Sequence, residues 1–250
     1  MRRIFRWIFL GILGVIVGVL AYDAVLLFRV YRLRSNNPSS TSLIDTRAKE
    51  ARAKGRQPRR EQVWVPLERI SPNLQRAVLA GEDTNFITHR GFDYEAIQKA
   101  WEQAQREAAR EAKREGENDD WLPSIPEFRR GGSTISQQLA KNLYLSSQRS
   151  FIRKGQEAIV TIMLERMLTK RRILEIYLNV IEWGDGVYGA EAAAQKYFRK
   201  PASSLTANEA AFLSAMIPNP RTVFNPQTNP RRVTRRQRII LRGVPYVRLP

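Results

Sequence analysis

The sequence predicts a mainly α-helical protein with one membrane-spanning helix at its N-terminus. Helical periodicity of apolar residues dominates from residue 133 onward, and strand signals are few. The 22 residues between Arg6 and Arg29 carry a single charge, Asp23. At 1.5 Å per residue they form about 33 Å of helix, which is enough to cross a hydrocarbon core of roughly 30 Å.

The composition excludes several kinds of site. The 250 residues include no cysteine and one histidine, His89, so disulfides, thiolate metal sites, a cysteine nucleophile and multi-histidine metal sites are excluded. Hydrophobic residues make up 43% of the chain, which is enough for a packed core.

The net charge of +18 is unevenly distributed along the chain. Residues 1–60 hold 13 Arg and Lys against three acids, and residues 221–250 hold eight Arg and no acid. Residues 61–220 hold 21 of each sign. A nucleic-acid-binding module would carry the basic face on its own domain, so no nucleic-acid partner is expected. The basic ends suggest contact with the anionic lipids of a membrane surface.

The N-terminal apolar segment has two interpretations. A cleavable signal peptide is the alternative to a retained anchor, because Val19-Leu20-Ala21 loosely fits a cleavage site. The apolar run exceeds a typical signal core, which favours the anchor. Arginines on both sides leave the orientation undecided by the positive-inside rule. The expected divisions are a cytoplasmic tip and anchor (1–34), a basic juxtamembrane linker or short helix (35–62), a globular domain (63–242) and a C-terminal tail (243–250).

The elements of the globular part follow from local signals. Residues 63–70 are a short strand or an extended lead-in, and Ser71-Pro72 starts a helix that ends near Gly81. Residues 94–117 predict a solvated helix, and 118–130 a loop. Further helices are predicted at 133–145, 151–168, 170–181, 187–197, 206–216 and 230–242.

The first candidate cluster follows Gly81. Glu82 and Asp83 are adjacent carboxylates just past a helix end, where they could act as a general base and its support. The alternative is a polar loop closed by glycine. His89 is expected to be structural, because no second histidine and no serine–acid arrangement accompanies it.

The second cluster spans residues 131–142. Two glycines lead into a helix that Ser133 or Thr134 can cap, and free N–H groups at such a helix start suit an anion. Thr134, then Gln137 or Gln138, and Lys141 fall on one helical face, where they suggest hydrogen bonds to sugar and phosphate. An ordinary capped amphipathic helix is the alternative.

The third cluster consists of Arg149, Arg153, Lys154 and Glu157. Three cations around one acid suit a diphosphate, because the planar guanidinium matches phosphate oxygens. The alternative is a surface ion pair worth about 0.3–0.5 kcal/mol. Residues 170–200 are expected to be mostly structural scaffold. Lys170 and Asn179 are the two side chains in this segment that could reach a site.

Together these segments resemble the peptidoglycan glycosyltransferase family. The motifs occur in the family's order over residues 82–200 and continue weakly to about 242. The Ser-x-x-Lys and Lys-Thr-Gly signatures of a transpeptidase are absent, so the resemblance is to the monofunctional, membrane-anchored branch. The segments are EDTNFITHRGFD, GGSTISQQLAKNLYL, RKGQE, RRILEIYLN and WGDGVYGAEAAAQKYFRK.

The resemblance implies a lysozyme-like helical fold and the polymerisation of lipid II into glycan strands, with the catalytic domain in the periplasm. It implies Glu82 as the base for the acceptor hydroxyl and Glu157 near the departing diphosphate. No cofactor is required, although a divalent cation (Mg or Mn) near Asp83 is an option. Expected partners are lipid II, the growing strand, membrane lipids and other cell-wall synthases. Asp83 and Asn179 are further substrate-binding candidates from the residues themselves. The substrate-binding residues that the resemblance implies are Ser133, Thr134, Gln137, Gln138, Lys141, Arg149, Arg153 and Lys154.

The residue types also indicate whether the reaction is a glycosyl transfer or a hydrolysis. A diphosphate leaves as an anion that cations stabilise, whereas a glycosidase needs a protonated acid to expel an alcohol. Cations beside Glu157 favour its ionised form, so a transferase is preferred over a lytic muramidase. A membrane-tethered scaffold is the non-enzymatic alternative. The 49-residue interval from Glu82 to Gly131 reflects a charged insertion at 94–120 that borders the cleft in this fold.

Overall fold

The computed structural model describes residues 2–115, 133–145 and 151–250, and helices dominate these ranges, as predicted. The helices are α1 (Arg2–Arg32), α2 (Ser42–Ala53), α3 (Pro72–Glu82), α4 (Tyr94–Glu115), α5 (Ile135–Tyr144), α6 (Phe151–Met167), α7 (Lys170–Val180), α8 (Ala190–Phe198), α9 (Ala207–Met216) and α10 (Pro230–Gly243). The strands are β1 (Glu61–Gln62), β2 (Glu182–Gly184) and β3 (Val187–Tyr188). The loop predicted at 118–130 lies outside the described residues.

Helix α1 fits a single-pass membrane anchor. Residues Phe5–Arg32 reach a mean hydropathy of 2.4, and only 6% of the apolar window is buried against the rest of the chain. The last turns behave differently, because Leu26, Val30 and Leu33 are buried in the core of the globular part, where α1 packs on α6. The anchor helix therefore runs directly into the domain that carries the site.

Helix α3 begins and packs as its sequence predicts. The Oγ of Ser71 accepts the N–H of Asn73 at 3.2 Å, and Pro72 occupies the first turn, where no N–H is needed. Leu74 and Val78 are fully buried, and α3 packs against α9 and α10. This packing holds the C-terminal end of α3, and hence Glu82, at a defined position.

A three-stranded sheet with the order β1-β3-β2 supports the helices. Strand β1 is parallel to β3, and β2 is antiparallel to β3. For residues 63–70, the extended lead-in is the correct alternative, and a 3₁₀ turn over Leu67–Arg69 follows Pro66. Helix α8 starts later than the predicted residue 187, because Val187–Tyr188 forms β3 and Gly189 takes a φ of +83°.

Both ends of the globular part are more ordered than a linker and a tail. Helix α2 lies within the expected linker, buries Ile44 and packs on α5. Its Arg47 donates to Oε2 of Glu182 at 3.1 and 3.0 Å. Near the C-terminus, Val247 is buried in the core.

Candidate active site

A cleft of about 670 Å³ brings together most of the residues predicted from separate motifs. Its walls come from the end of α3, from α5, α6 and α7, and from the start of α2. The predicted residues that line it are Glu82, Ser133, Gln137, Gln138, Lys141, Arg153, Lys154 and Glu157.

Glu82 is the last residue of α3, and its side chain is 8% exposed. Its Oε2 accepts a hydrogen bond from Nε2 of Gln138 at 2.9 Å. The hydroxyl of Tyr177 donates to Oε1 of Gln138 at 2.6 Å, which turns the amide nitrogen towards Glu82. Burial raises the pKa of Tyr177 well above its usual value, so this hydroxyl remains a donor.

The other oxygen of Glu82 is held by an arginine from α10. Nη2 of Arg236 donates to Oε1 of Glu82 at 2.7 Å and to the carbonyl of Gly81 at 2.8 Å. Burial raises the pKa of Glu82 above its ordinary value, while Arg236 and Gln138 act in the opposite direction. The result is an oriented carboxylate with increased proton affinity, which suits a general base.

Asp83 points away from Glu82 and holds α3 to α5. Its carboxylate contacts Nε2 of His89 at 2.9 and 3.1 Å and accepts the N–H of Ile135, at the start of α5, at 2.9 Å. The N–H of Gly91 donates to Nδ1 of His89 at 3.1 Å, so both ring nitrogens of His89 are held by hydrogen bonds. Asp83 and His89 therefore position the base and the following helix.

The N-terminus of α5 forms a capping box. Thr134 Oγ1 accepts the N–H of Gln137 at 3.2 Å, and Gln137 Oε1 accepts the N–H of Thr134 at 2.9 Å. These two side chains are buried and shape the groove, whereas Gln138 reaches Glu82. Ser133 and Lys141 are exposed at the edge of the cleft.

Glu157 lies on α6 between two cations. Its side chain is 4% exposed, and its Oε2 accepts from Nη1 of Arg153 at 2.8 Å. Lys154 pairs with the other oxygen and is 53% exposed, so its ammonium is open to a ligand in the cleft. Arg149, predicted in the same cluster, lies outside the described residues.

Asn179 belongs to the scaffold and not to the cleft, contrary to the prediction. Its side chain is fully buried and clamps Val65 by accepting the N–H and donating to the C=O, both at 2.9 Å. It also donates to the carbonyl of Glu175 at 2.8 Å. Lys170 is likewise structural, because it pairs with Glu165 at 2.7 Å and stacks on Phe86.

Tyr177 and Arg236 contribute to the candidate active site but are not among the site residues predicted from the sequence. Tyr177 falls on the apolar face of α7, so its spacing predicts a core residue, and its hydroxyl donates to Gln138 in the cleft. Arg236 is one of many arginines in α10, and its position facing the buried side of the helix is the one available signal.

The helical scaffold and the cleft define a class of enzyme. A buried, hydrogen-bonded carboxylate and a second carboxylate paired with two cations share one cleft, and this arrangement suits the transfer of a sugar from an anionic leaving group. The chain belongs to the transglycosylase family, whose sequence model matches residues 49–116 and 122–244. This membership confirms the predicted fold class and the prediction of an enzyme.

Curated relatives match nearly the whole chain. A biosynthetic peptidoglycan transglycosylase from Laribacter hongkongensis is 44% identical over 98% of this chain and 99% of its own length. Proteins of the same name from Thiobacillus denitrificans and Dechloromonas aromatica are 44% and 42% identical, over 90% and 100% of this chain and 89% and 100% of their own lengths.

Proposed function

We propose that this protein polymerises lipid II into β-1,4-linked glycan strands of peptidoglycan and releases undecaprenyl diphosphate. The observation that carries the proposal is the shared cleft, in which Glu82 is the buried base and Arg153 and Lys154 surround Glu157. Membership of the transglycosylase family and the names of the relatives support it.

In the proposed reaction, Glu82 removes the proton from the 4-hydroxyl of the acceptor N-acetylglucosamine. The hydroxyl oxygen attacks C1 of the donor sugar as the bond from C1 to the diphosphate oxygen breaks. The donor is α-linked and the product is β-linked, so a single inverting displacement is sufficient. Gln138 and Arg236 hold the carboxylate of Glu82 towards the acceptor before the proton moves.

The departing diphosphate carries its negative charge towards α6. Arg153 and Lys154 stabilise that charge, together with Lys141, which lines the same cleft. Glu157 holds both α6 cations in place by accepting from each of them. This arrangement favours the anionic leaving group of a transferase over the alcohol of a muramidase.

A divalent cation bound through Asp83 does not fit the arrangement of this carboxylate. The contacts with His89 and Ile135 occupy both oxygens. Within the described ranges, no group of three or more acidic or histidine side chains is placed to hold a metal.

We propose that the catalytic domain faces the periplasm, on the outer side of the bacterial inner membrane. The apolar α1 leads directly into the domain, with Leu26, Val30 and Leu33 in its core, so the cleft stays near the membrane. A lipid-linked substrate presented at that surface reaches the cleft without leaving the bilayer.

The test is to incubate the purified full-length chain in detergent micelles or vesicles with fluorescent lipid II and to separate the products on a gel. A ladder of glycan strands is expected, together with one diphosphate lipid released per linkage. The same preparation is incubated with finished sacculi. Soluble muropeptides from sacculi, without strands from lipid II, would show that the enzyme is a muramidase.

A further inference from the structure

A second cavity, of about 460 Å³, lies beside the active-site cleft. We refer to it as the α2 cavity, because it is formed by the C-terminal half of α2, residues 56–59 and the turn between β2 and β3. Arg47 lines both the α2 cavity and the cleft, so the two spaces are neighbours that adjoin at this side chain.

The α2 cavity has a surplus of positive charge. Five cations line it, against the carboxylates of Glu50 and Asp185. Arg221 is paired with both of these acids, at 3.2 and 3.1 Å. Among the described residues no carboxylate forms a salt bridge with Lys54, Arg56 or Arg59.

The part of the wall that carries Arg59 is fixed by backbone contacts. Gly186 takes a φ of +76°, and its carbonyl accepts the N–H of Glu61 at 2.7 Å. A Cβ at Gly186 would lie 2.5 Å from the Cβ of Arg59, so the turn and the strand approach as closely as a glycine permits. Arg59 therefore extends from a fixed part of the cavity wall.

We propose that the α2 cavity binds carboxylates of the peptide attached to the sugar chain while the sugars occupy the cleft. This proposal rests on the proposed function, because peptidoglycan precursors carry short peptides with free carboxylates. Arginine pairs with carboxylates through two parallel hydrogen bonds, and Arg56 and Arg59 supply that geometry next to the cleft. The position beside the cleft favours a substrate carboxylate over a lipid headgroup as the ligand.

The test compares two substrates and two variants of the full-length chain. The substrates are lipid II with free peptide carboxylates and lipid II with those carboxylates amidated. The test variant carries Lys54→Gln, Arg56→Gln and Arg59→Gln. The control variant carries Arg231→Gln, Arg232→Gln and Arg235→Gln, which remove the same charge from the exposed face of α10. Both KM and kcat for strand synthesis are measured, in vesicles with and without anionic lipid.

The test variant is expected to raise KM for the free-carboxylate substrate by about tenfold, which is the loss of one or two charge-assisted hydrogen bonds, with kcat unchanged. The amidated substrate should show equal KM with the wild type and the test variant. The control variant should leave both values unchanged.

Three outcomes would overturn this inference. An equal rise in KM for both substrates would exclude peptide carboxylates as the ligand. A rise that appears only in vesicles with anionic lipid would point to a headgroup. An equal rise in the control variant would show a general charge effect. A wild type that polymerises neither substrate would instead refute the proposed function itself.

Discussion

Glu82 and Glu157 lie in one cleft but in opposite surroundings. Glu82 faces one guanidinium and a neutral amide, and burial raises its pKa. Glu157 is paired with two cations on its own helix, one of them more than half exposed to the cleft. In the proposed reaction, these different surroundings give the two buried carboxylates distinct tasks: Glu82 accepts a proton, and Glu157 organises positive charge.

The largest expected effect on strand synthesis comes from removing the carboxylate of Glu82. Glu82→Gln keeps the shape and the contact with Gln138 but cannot accept a proton, so strand synthesis from labelled lipid II should fall by at least about a hundredfold. The thermal midpoint should stay close to that of the wild type. Glu61→Gln, at an exposed carboxylate, is the control. Synthesis at the wild-type rate by Glu82→Gln would refute the assignment of the base.

A smaller effect on kcat is expected from removing a cation that is paired with Glu157. Arg153→Gln removes one of the two cations paired with Glu157, so kcat should fall by about ten- to a hundredfold through weaker stabilisation of the diphosphate. The acidic limb of the pH profile should not move, because Glu82 is untouched. Arg166→Gln, on the exposed face of the same helix, is the matched control. An acidic limb that shifts in Arg153→Gln would contradict the division of tasks between Glu82 and Glu157.

The smallest effect on catalysis is expected at Asn179, which lies in the scaffold. Asn179→Ala leaves the buried N–H and C=O of Val65 without their partner, which should lower the free energy of unfolding by about 2–3 kcal/mol. The thermal midpoint in detergent measures this loss, and Asn208→Ala, at an exposed position, is the control. Below the midpoint, kcat/KM should stay within about twofold of the wild type. A large loss of kcat/KM in a variant that remains folded would show that Asn179 takes part in the candidate active site.

Local patterns predict the helices and much of the cleft, since the signals for both are close together in the sequence. The cap at Ser71, the apolar spacing of α3 and the pairing of Arg153 with Glu157 all act within one or two helical turns. The structure therefore confirms these local expectations with small shifts in helix bounds.

Contacts between distant segments are not predictable in the same way. Arg236 is 154 residues from Glu82 and stands among similar arginines, so only the packing of α10 on α3 selects it. The buried amide of Asn179 likewise depends on Val65, 114 residues away. In both cases the side chain alone suggests several roles, and the tertiary contact decides between them.

The distribution of charge shows the same limit. The N-terminal and C-terminal basic segments read as separate tails, but Arg47 and Arg221 meet at Glu50 and Glu182 in the folded domain. Arg236, from the C-terminal segment, enters the active site. The composition suggests that the excess positive charge contacts membrane lipids. Part of that charge instead pairs with acidic side chains inside the folded domain.

The most direct test of the central claim is the pH dependence of kcat/KM for lipid II in the wild type and in Arg236→Met. Arg236 opposes the rise in the pKa of Glu82, so its removal should raise that pKa further and move the acidic limb of the profile to higher pH. Arg238→Met, on the exposed face of α10, should leave the limb in place. An acidic limb at the same pH in the wild type and Arg236→Met would contradict the assignment of Glu82 as the base.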